Sequence, residues 1–158
     1  MTVKQVKNKL DGTLGVAQDD EDLQDLIYDG VWHVQKTAAD GAAGTDYTYA
    51  LMKVPFDVEI VEVTICPDGT LTANDTNYAT ISLNKSDGAA GSATAVASQT
   101  TKITGGSGDW AARTFVDVPV TAANKNVDDG QMLEIESVKA ASGVAVPICG
   151  FSVRYRRR

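Results

Sequence analysis

The sequence is poor in the residues on which most catalytic centres depend. It contains one histidine, His33, among 158 residues. A single histidine excludes the multi-histidine clusters typical of catalytic zinc, and a Ser–His–Asp arrangement would need His33 and distant partners. Neither the G-x-S-x-G nucleophile elbow nor the G-x-x-x-x-G-K-[ST] phosphate loop occurs. We therefore expect no catalytic residues, no cofactor and no metal site, and we expect that the chain is not an enzyme.

Long apolar runs are also missing from the chain. No stretch approaches the ~20 residues that cross a bilayer. The first residues, MTVKQVKNKLDG, contain lysines but no apolar segment typical of a secretion signal. We expect a protein made in a cytoplasm, with no membrane partner. The 4 prolines against 14 glycines favour tight turns over a proline-rich linker.

The cysteine content is low as well. Cys66 and Cys149 each lie in an apolar, strand-like stretch, VTICPDG and VAVPICGF. In a reducing compartment such cysteines are predicted to be buried free thiols. A disulfide remains the alternative, since the sequence cannot place their Cα atoms within bridging distance.

Charge is distributed unevenly between the body and the C-terminus. The formal net charge is −7, yet the last eight residues, FSVRYRRR, contain four arginines. An acidic body repels a nucleic-acid backbone, so we expect no nucleic-acid partner. Two interpretations of the basic tail remain open: it docks on an acidic protein surface, or it folds back on its own chain. The arginines are Arg154, Arg156, Arg157 and Arg158.

Turn signals divide the chain into short segments of alternating apolar and polar residues. Asp-Gly occurs six times, and this pair favours turns because both residues tolerate positive φ. Between the turns the alternation and the β-branched composition predict about eight strands. These strands are 31–38, 46–53, 57–66, 78–84, 93–99, 114–120, 131–138 and 144–155.

Two of these predicted strands change their apolar phase. In 57–66 the change falls between Ile60 and Val61, and in 144–155 it falls between Cys149 and Gly150. Because one inserted residue moves every later side chain to the other face, we predict a β-bulge at each place.

The N-terminal residues 1–30 differ from the rest. The segment DDEDLQDLIYDG spaces Leu23, Leu26 and Ile27 as in a short helix, with acidic residues at its start. The residues before it are polar, apart from Leu10, Leu14 and Val16. We interpret residues 1–30 as an extended arm with a short possible helix.

Residues 31–158 then form one β-sandwich domain that carries the basic tail. Many short strands and almost no helix predict an all-β fold. The long last strand and the wide loops favour a jelly-roll-like antiparallel β-sandwich of about eight strands.

Three groups of residues suggest a site, and each has a plainer interpretation. Glu134 and Glu136 share one strand face, where a solvated pair is favoured over a glycosidase pair. The acidic runs 19–22 and 68–77 offer oxygen ligands but lack the EF-hand order of ligands. Trp110 follows three glycines in TGGSGDW, so we predict an exposed loop tryptophan that contacts a partner.

Three motifs of the sequence resemble head decoration (cement) proteins of tailed bacteriophages of the jelly-roll type. They are VPFDVEIVEV at 54–63, ISLN at 81–84 and VRYRRR at 153–158. The resemblance spans residues 31–156. Small β-sandwich domains of phage tails and head fibres have similar sequence features.

The resemblance implies a structural role in a virion. Such a protein binds the exterior of an assembled capsid, often as a homotrimer, and bridges subunits of the major capsid protein. The predicted contacts to partners are Leu10, Leu14, Val16, Trp110, Arg154, Arg156, Arg157 and Arg158. The alternative is a carbohydrate- or receptor-binding module of a phage tail or head fibre that uses Trp110.

Overall fold

Every regular element that the structure describes is a β-strand. A computed structural model describes residues 5–7, 14–16, 29–36, 45–88 and 93–158. Within these ranges no helix long and apolar enough to span a membrane occurs. The strands are β1 Gln5–Lys7, β2 Leu14–Val16, β3 Asp29–Lys36, β4 Tyr47–Lys53, β5 Val58–Pro67, β6 Ala79–Ser86, β7 Thr94–Thr100, β8 Val116–Asp117, β9 Asn126–Val127, β10 Met132–Lys139 and β11 Cys149–Arg157.

Two antiparallel sheets pack into a sandwich. The four-stranded sheet has the order β4-β10-β6-β7, and the five-stranded sheet has the order β3-β11-β5-β8, with β9 also paired to β5. Consecutive strands mostly alternate between the sheets; the exceptions are β6 and β7, which share the four-stranded sheet, and β8 and β9, which share the five-stranded sheet. This is the jelly-roll arrangement, so the predicted fold class is confirmed.

The pairing follows one long hairpin that is rolled up on itself. β3 pairs with β11, β4 with β10, β5 with β9 and β8, and β6 with β7, so each pair lies inside the previous one along the chain. Lys36 opposes Cys149, Lys53 opposes Met132 and Val58 opposes Val127. The two residue numbers of a pair add up to the same value in all three pairs. The two arms of the hairpin therefore have equal numbers of residues between one of these pairs and the next.

The hydrophobic core lies between the two sheets. The alternation of side chains places one face of each strand inward. On these inward faces Ile81 and Leu83 of β6 and Leu133 and Ile135 of β10 are at most 1% exposed. Both cysteines are thiols, as predicted, but only Cys149 is buried; Cys66 is half-buried on the opposite face.

One of the two predicted bulges is confirmed and the other is wrong. In β5, Glu62 opposes Arg154 and Ile60 opposes Tyr155, so Val61 is the inserted residue. At Gly150 the pairing with both neighbours runs on without a shift. The phase change there arises because β11 begins only at Cys149, so the preceding apolar residues belong to a loop.

The predicted strands agree with the observed ones except between β7 and β10 and at the start of β11, which begins five residues after the predicted 144. The predicted strand 114–120 is reduced to β8, and the short strand β9 was not predicted. Within the arm, β1 and β2 pair with each other, with Gln5 opposite Val16. Of the possible helical segment 19–30, residues 19–28 lie outside the described residues. Asp29 and Gly30 belong to β3, which begins two residues before the predicted boundary at 31.

Strand direction gives the sandwich two different ends. The loops 68–78, 101–115 and 140–148 meet at one end, which we call the loop end. The turns 54–57 and 128–131 and the C-terminal Arg158 meet at the other, which we call the tail end.

Candidate interaction surfaces

Trp110 is buried, and the prediction of an exposed loop tryptophan is wrong. Its side chain is 1% exposed and belongs to the hydrophobic core. Its backbone N–H and C=O exchange two hydrogen bonds of 2.9 Å with Leu71. The indole N–H donates to the Ser107 hydroxyl at 2.6 Å. The glycines therefore turn the loop back over the end of the sandwich, and Trp110 fills the space beneath it.

Hydrogen bonds hold the loop that contains Trp110 against the neighbouring segments. The Asp75 carboxylate accepts hydrogen bonds from the Thr104 N–H at 2.7 Å and the Thr104 hydroxyl at 2.9 Å. These bonds lower the pKa of Asp75, because they stabilise its charged form. The N–H of Arg113 donates to the Pro67 carbonyl at 2.7 Å. Loop 101–115 is thus fixed to loop 68–78 and to the end of β5.

Two large apolar side chains on loop 101–115 are exposed to solvent. Phe115 is 70% exposed and Ile103 is 63% exposed, the highest values among the exposed large hydrophobic residues that the structure describes. Phe115 points outward because the next residue, Val116, packs against the core. The alternation in TFVDVPV is the sequence signal for the exposure of Phe115, since it places Phe115 and Val116 on opposite faces.

The C-terminal arginines contact their own chain. Of the two interpretations of the tail, the structure shows the second, because these residues continue β11 between β3 and β5. Arg154 Nε lies 3.1 Å from Glu62 Oε2, and Arg156 lies opposite Glu59. The acidic residues of β5 therefore compensate the charge of β11 within one sheet. Contacts of these arginines with a partner stay a prediction.

The last two arginines contact residues at the tail end of the sandwich. The Arg157 guanidinium lies 4.3 Å from the centre of the Phe56 ring. Arg158 donates to Asp128 Oδ1 at 2.5 Å, and its N–H donates to the Asp57 carbonyl at 3.0 Å. The last residue of the chain is thereby attached to two turns of the sandwich.

At the tail end, the carboxylate of Glu59 interacts with several cationic side chains. It accepts a hydrogen bond from the ammonium group of Lys125. That bond lowers the pKa of Glu59, and the charges of Lys125, Arg156 and Arg158 act in the same direction, whereas partial burial opposes them.

The remaining predicted contact residues lie in the N-terminal arm. Leu10 lies outside the described residues. Leu14 and Val16 are the ends of β2, opposite Lys7 and Gln5 of β1. Their role as partner contacts stays a prediction.

Among the described residues, the row of side chains that contains His33 does not form a catalytic triad. His33, Ser152, Thr64 and Asp117 form one row across β3, β11, β5 and β8, on the outer face of the sheet. Three strand spacings separate His33 from Asp117, about 14 Å, which is far beyond hydrogen-bond distance. His33 is exposed, as its place on the outer face requires.

The acidic candidates are engaged in structural hydrogen bonds. Glu134 accepts from the Ser86 hydroxyl at 2.8 Å, and Glu136 accepts from the Asn84 amide at 2.9 Å. The Asn74 side chain accepts from the backbone N–H groups of Thr76 and Asn77, both at 2.8 Å. These bonds agree with the plainer interpretations. Within the described ranges no three acidic, histidine or cysteine side chains group as metal ligands would, and residues 19–22 lie outside those ranges.

Apolar side chains are also exposed on the outer face of the five-stranded sheet. Val31 of β3 is 46% exposed, and Val61 at the bulge of β5 is 37% exposed. They lie on either side of the Arg154–Glu62 ion pair, since Val31 opposes Arg154 and Val61 adjoins Glu62. The phase change at Val61 was the sequence signal for this position.

Comparisons with known proteins give little further help. No family model matches the sequence, and no curated protein matches it. Among solved structures, the chain is similar to a chain in the structure of the Gx strain of infectious bursal disease virus, with a TM-score of 0.33 and 12% sequence identity. The similarity covers 98% of this chain and 37% of that one. Both the identity and the TM-score are too low to support an argument, and the fold assignment rests on the strand pairing above.

Proposed function

We propose that this chain is a structural virion protein that binds the outer surface of an assembled phage capsid and stabilises it by bridging subunits of the major capsid protein. The virion context comes from the sequence resemblance to phage decoration proteins. The jelly-roll fold is compatible with it, since this fold is common in viral capsid proteins and lectins. Because a fold alone does not determine function, the proposal depends on a surface.

The observation that carries the proposal is the pair of exposed apolar side chains on a rigid loop. Ile103 and Phe115 are 63% and 70% exposed, while the loop between them is tied to the sandwich through Asp75 and Trp110. A loop that is ordered before binding loses little entropy when it docks. Apolar anchors presented in this way are typical of residues that dominate binding energy.

Several copies would act together on one capsid. As copies grouped in homotrimers, each with its own loop end against a capsid subunit, they would gain avidity from contacts that are individually weak. The arm residues Leu10, Leu14 and Val16 would add contacts to neighbouring subunits. The C-terminal arginines are not needed for these contacts, because the structure shows them in contact with their own chain.

The alternative function, a carbohydrate- or receptor-binding module of a phage tail or head fibre, used an exposed Trp110. The burial of that side chain leaves the alternative without this contact residue. We therefore retain the capsid-binding function.

Co-sedimentation with capsids tests the proposal. The purified chain is mixed with empty capsids assembled from the major capsid protein encoded in the same genome. We expect saturable binding at a fixed ratio and a higher thermal disassembly temperature of the capsids. The double variant Ile103→Lys, Phe115→Lys should lose at least tenfold in affinity, because it places two charges in an apolar contact.

The matched control is Val138→Lys, which places a charge on a 39% exposed valine of β10, outside loop 101–115. It should bind capsids as the natural sequence does. Absence of binding by the natural chain, or equal binding by the double variant, would contradict the proposal.

A further inference from the structure

We propose that Arg113 binds a carboxylate of the partner beside the contact made by Phe115, so that the partner surface at the loop end is acidic as well as apolar. This inference rests on the proposed function, because it concerns the surface that Ile103 and Phe115 form there. It adds a specific charge recognition to that surface, carried by the backbone conformation, the exposure and the charged surroundings of Arg113.

Arg113 has a backbone conformation that arginine rarely adopts. Its φ angle is 59°, at the third position of a turn in which the Thr114 N–H donates to the Ala111 carbonyl at 3.3 Å. Glycine or asparagine is usual at this position when φ is positive, because a Cβ atom makes the conformation unfavourable. Among the described residues, Ala141 is the only other non-glycine residue with a positive φ. The turn itself thus favours glycine over arginine, and backbone strain of this kind is concentrated at functional sites.

The guanidinium group of Arg113 is available to a partner. Its side chain is 83% exposed, and its Nε lies 3.5 Å from Oδ1 of Asp68, whose side chain is 65% exposed. An ion pair this exposed contributes little, because water screens both charges. A guanidinium group has several N–H donors in a planar fork, and the Asp68 contact faces only Nε. The terminal amino groups can therefore donate to a carboxylate from outside, in the bidentate geometry typical of arginine.

Cations lie near both exposed apolar side chains of the loop end. Lys102 directly precedes Ile103, and its ammonium group lies 4.9 Å from the centre of the Tyr78 ring. Arg113 lies two residues before Phe115. Because a cation over an aromatic ring keeps its charge, both cations contribute a positive potential beside the apolar side chains. A partner surface that presents carboxylates beside an apolar groove complements this pattern.

Two carboxylates of the loop end are engaged within the chain. The Asp75 carboxylate holds loop 101–115 through its hydrogen bonds, and Asp109 Oδ1 accepts from the Ala73 N–H at 2.5 Å. Donors that already surround these carboxylates leave them less able to bind a cation of a partner. Charge recognition at this end is therefore directed at anions, with Arg113 as its exposed donor.

Co-sedimentation with empty capsids of the major capsid protein tests the role of Arg113. Arg113→Gly should weaken capsid binding about tenfold, because it removes a charge-assisted contact. It should not lower the thermal unfolding temperature, because glycine relieves the strain of the turn. Arg113→Lys keeps the charge but not the planar fork, so its affinity should lie between those of Arg113→Gly and the natural chain.

Two control variants separate this role from a structural one. Ala141→Gly relieves a similar strain, since Ala141 has a φ of 50° in loop 140–148 at the same end, and it should bind capsids as the natural chain does. Asp68→Asn removes the internal ion pair and should not weaken binding, because it leaves the guanidinium group free for the partner.

The outcomes distinguish this inference from the proposed function. Equal capsid binding by Arg113→Gly and the natural chain would overturn the inference alone. So would a loss in Asp68→Asn or Ala141→Gly as large as that in Arg113→Gly, because the effect would then come from the internal ion pair or from the turns. A natural chain that does not bind capsids would overturn both.

Discussion

The two ends of the sandwich are stabilised by different interactions. At the loop end, Trp110 fills the core and neutral or singly charged hydrogen bonds join the loops, as between Asp75 and Thr104. At the tail end, oppositely charged side chains meet, as Glu59 does with Lys125 and Asp128 with Arg158. The loop end depends mainly on burial and the tail end on ion pairs, so salt should separate them.

This difference explains why an acidic protein has a basic C-terminus. Four arginines in the last five residues would repel one another in an isolated tail. In the folded chain these arginines lie on the outer face of the sheet, over an aromatic ring and beside a turn. At each place a carboxylate or the face of an aromatic ring contacts the guanidinium group or lies opposite it. The cluster that suggested a docking element in the sequence therefore completes the charge pattern of one sheet.

The largest expected effect is at the loop end. Trp110→Ala should lower the free energy of unfolding by about 3–5 kcal/mol, because it leaves a cavity beneath loop 101–115. Urea unfolding followed by circular dichroism measures this loss. Trp110→Phe, which keeps much of the volume, should lose less. A loss below about 1 kcal/mol for the alanine variant would show that the loop end does not depend on this side chain.

A smaller, salt-dependent effect is expected at the tail end. Glu59→Gln removes the partner of Lys125 and a nearby charge from Arg156, and should cost about 1 kcal/mol at low salt. The cost should shrink in about 1 M salt, where the Debye length is only ~3 Å. Thermal unfolding at both salt concentrations measures the difference. If Trp110→Ala showed the same salt dependence, the distinction between the two ends would fail.

The smallest effect is the pH dependence, and it belongs to both ends. Folding lowers the pKa of Glu59 and of Asp75, from ordinary values of 4.5 and 3.8. The stability that each carboxylate contributes is therefore fully present above its ordinary pKa and is lost as the pH falls through its lowered pKa. Unfolding measured between pH 7 and pH 2 should show this loss, and Glu59→Gln and Asp75→Asn should each flatten the profile.

Salt distinguishes the two contributions to that profile. High salt should weaken the contribution of Glu59, whose pKa depends on cationic neighbours, and should leave that of Asp75 largely unchanged, since Thr104 hydrogen bonds cause it. An Asp75→Asn variant with the acid profile of the natural chain would show that the Thr104 contacts do not stabilise the loop end.

Local patterns predicted the strands well, because alternation depends on neighbours within one strand. The bulge at Val61 was visible in the same way, as a phase change inside a continuous strand. The phase change at Gly150 was ambiguous, since the start of a strand and a bulge look alike in the sequence. The short strand β9 has two residues, too few for any periodic signal.

The amino-acid sequence by itself determined the class of the fold, the main strands and which of their faces are buried, because each depends on side chains two residues apart. Only the tertiary structure decided the fate of Trp110 and of the C-terminal arginines. Burial of a loop residue depends on which loops meet at one end of the sandwich. The role of a charge likewise depends on the strand beside it, which here lies about 90 residues away along the chain, as Arg154 and Glu62 show.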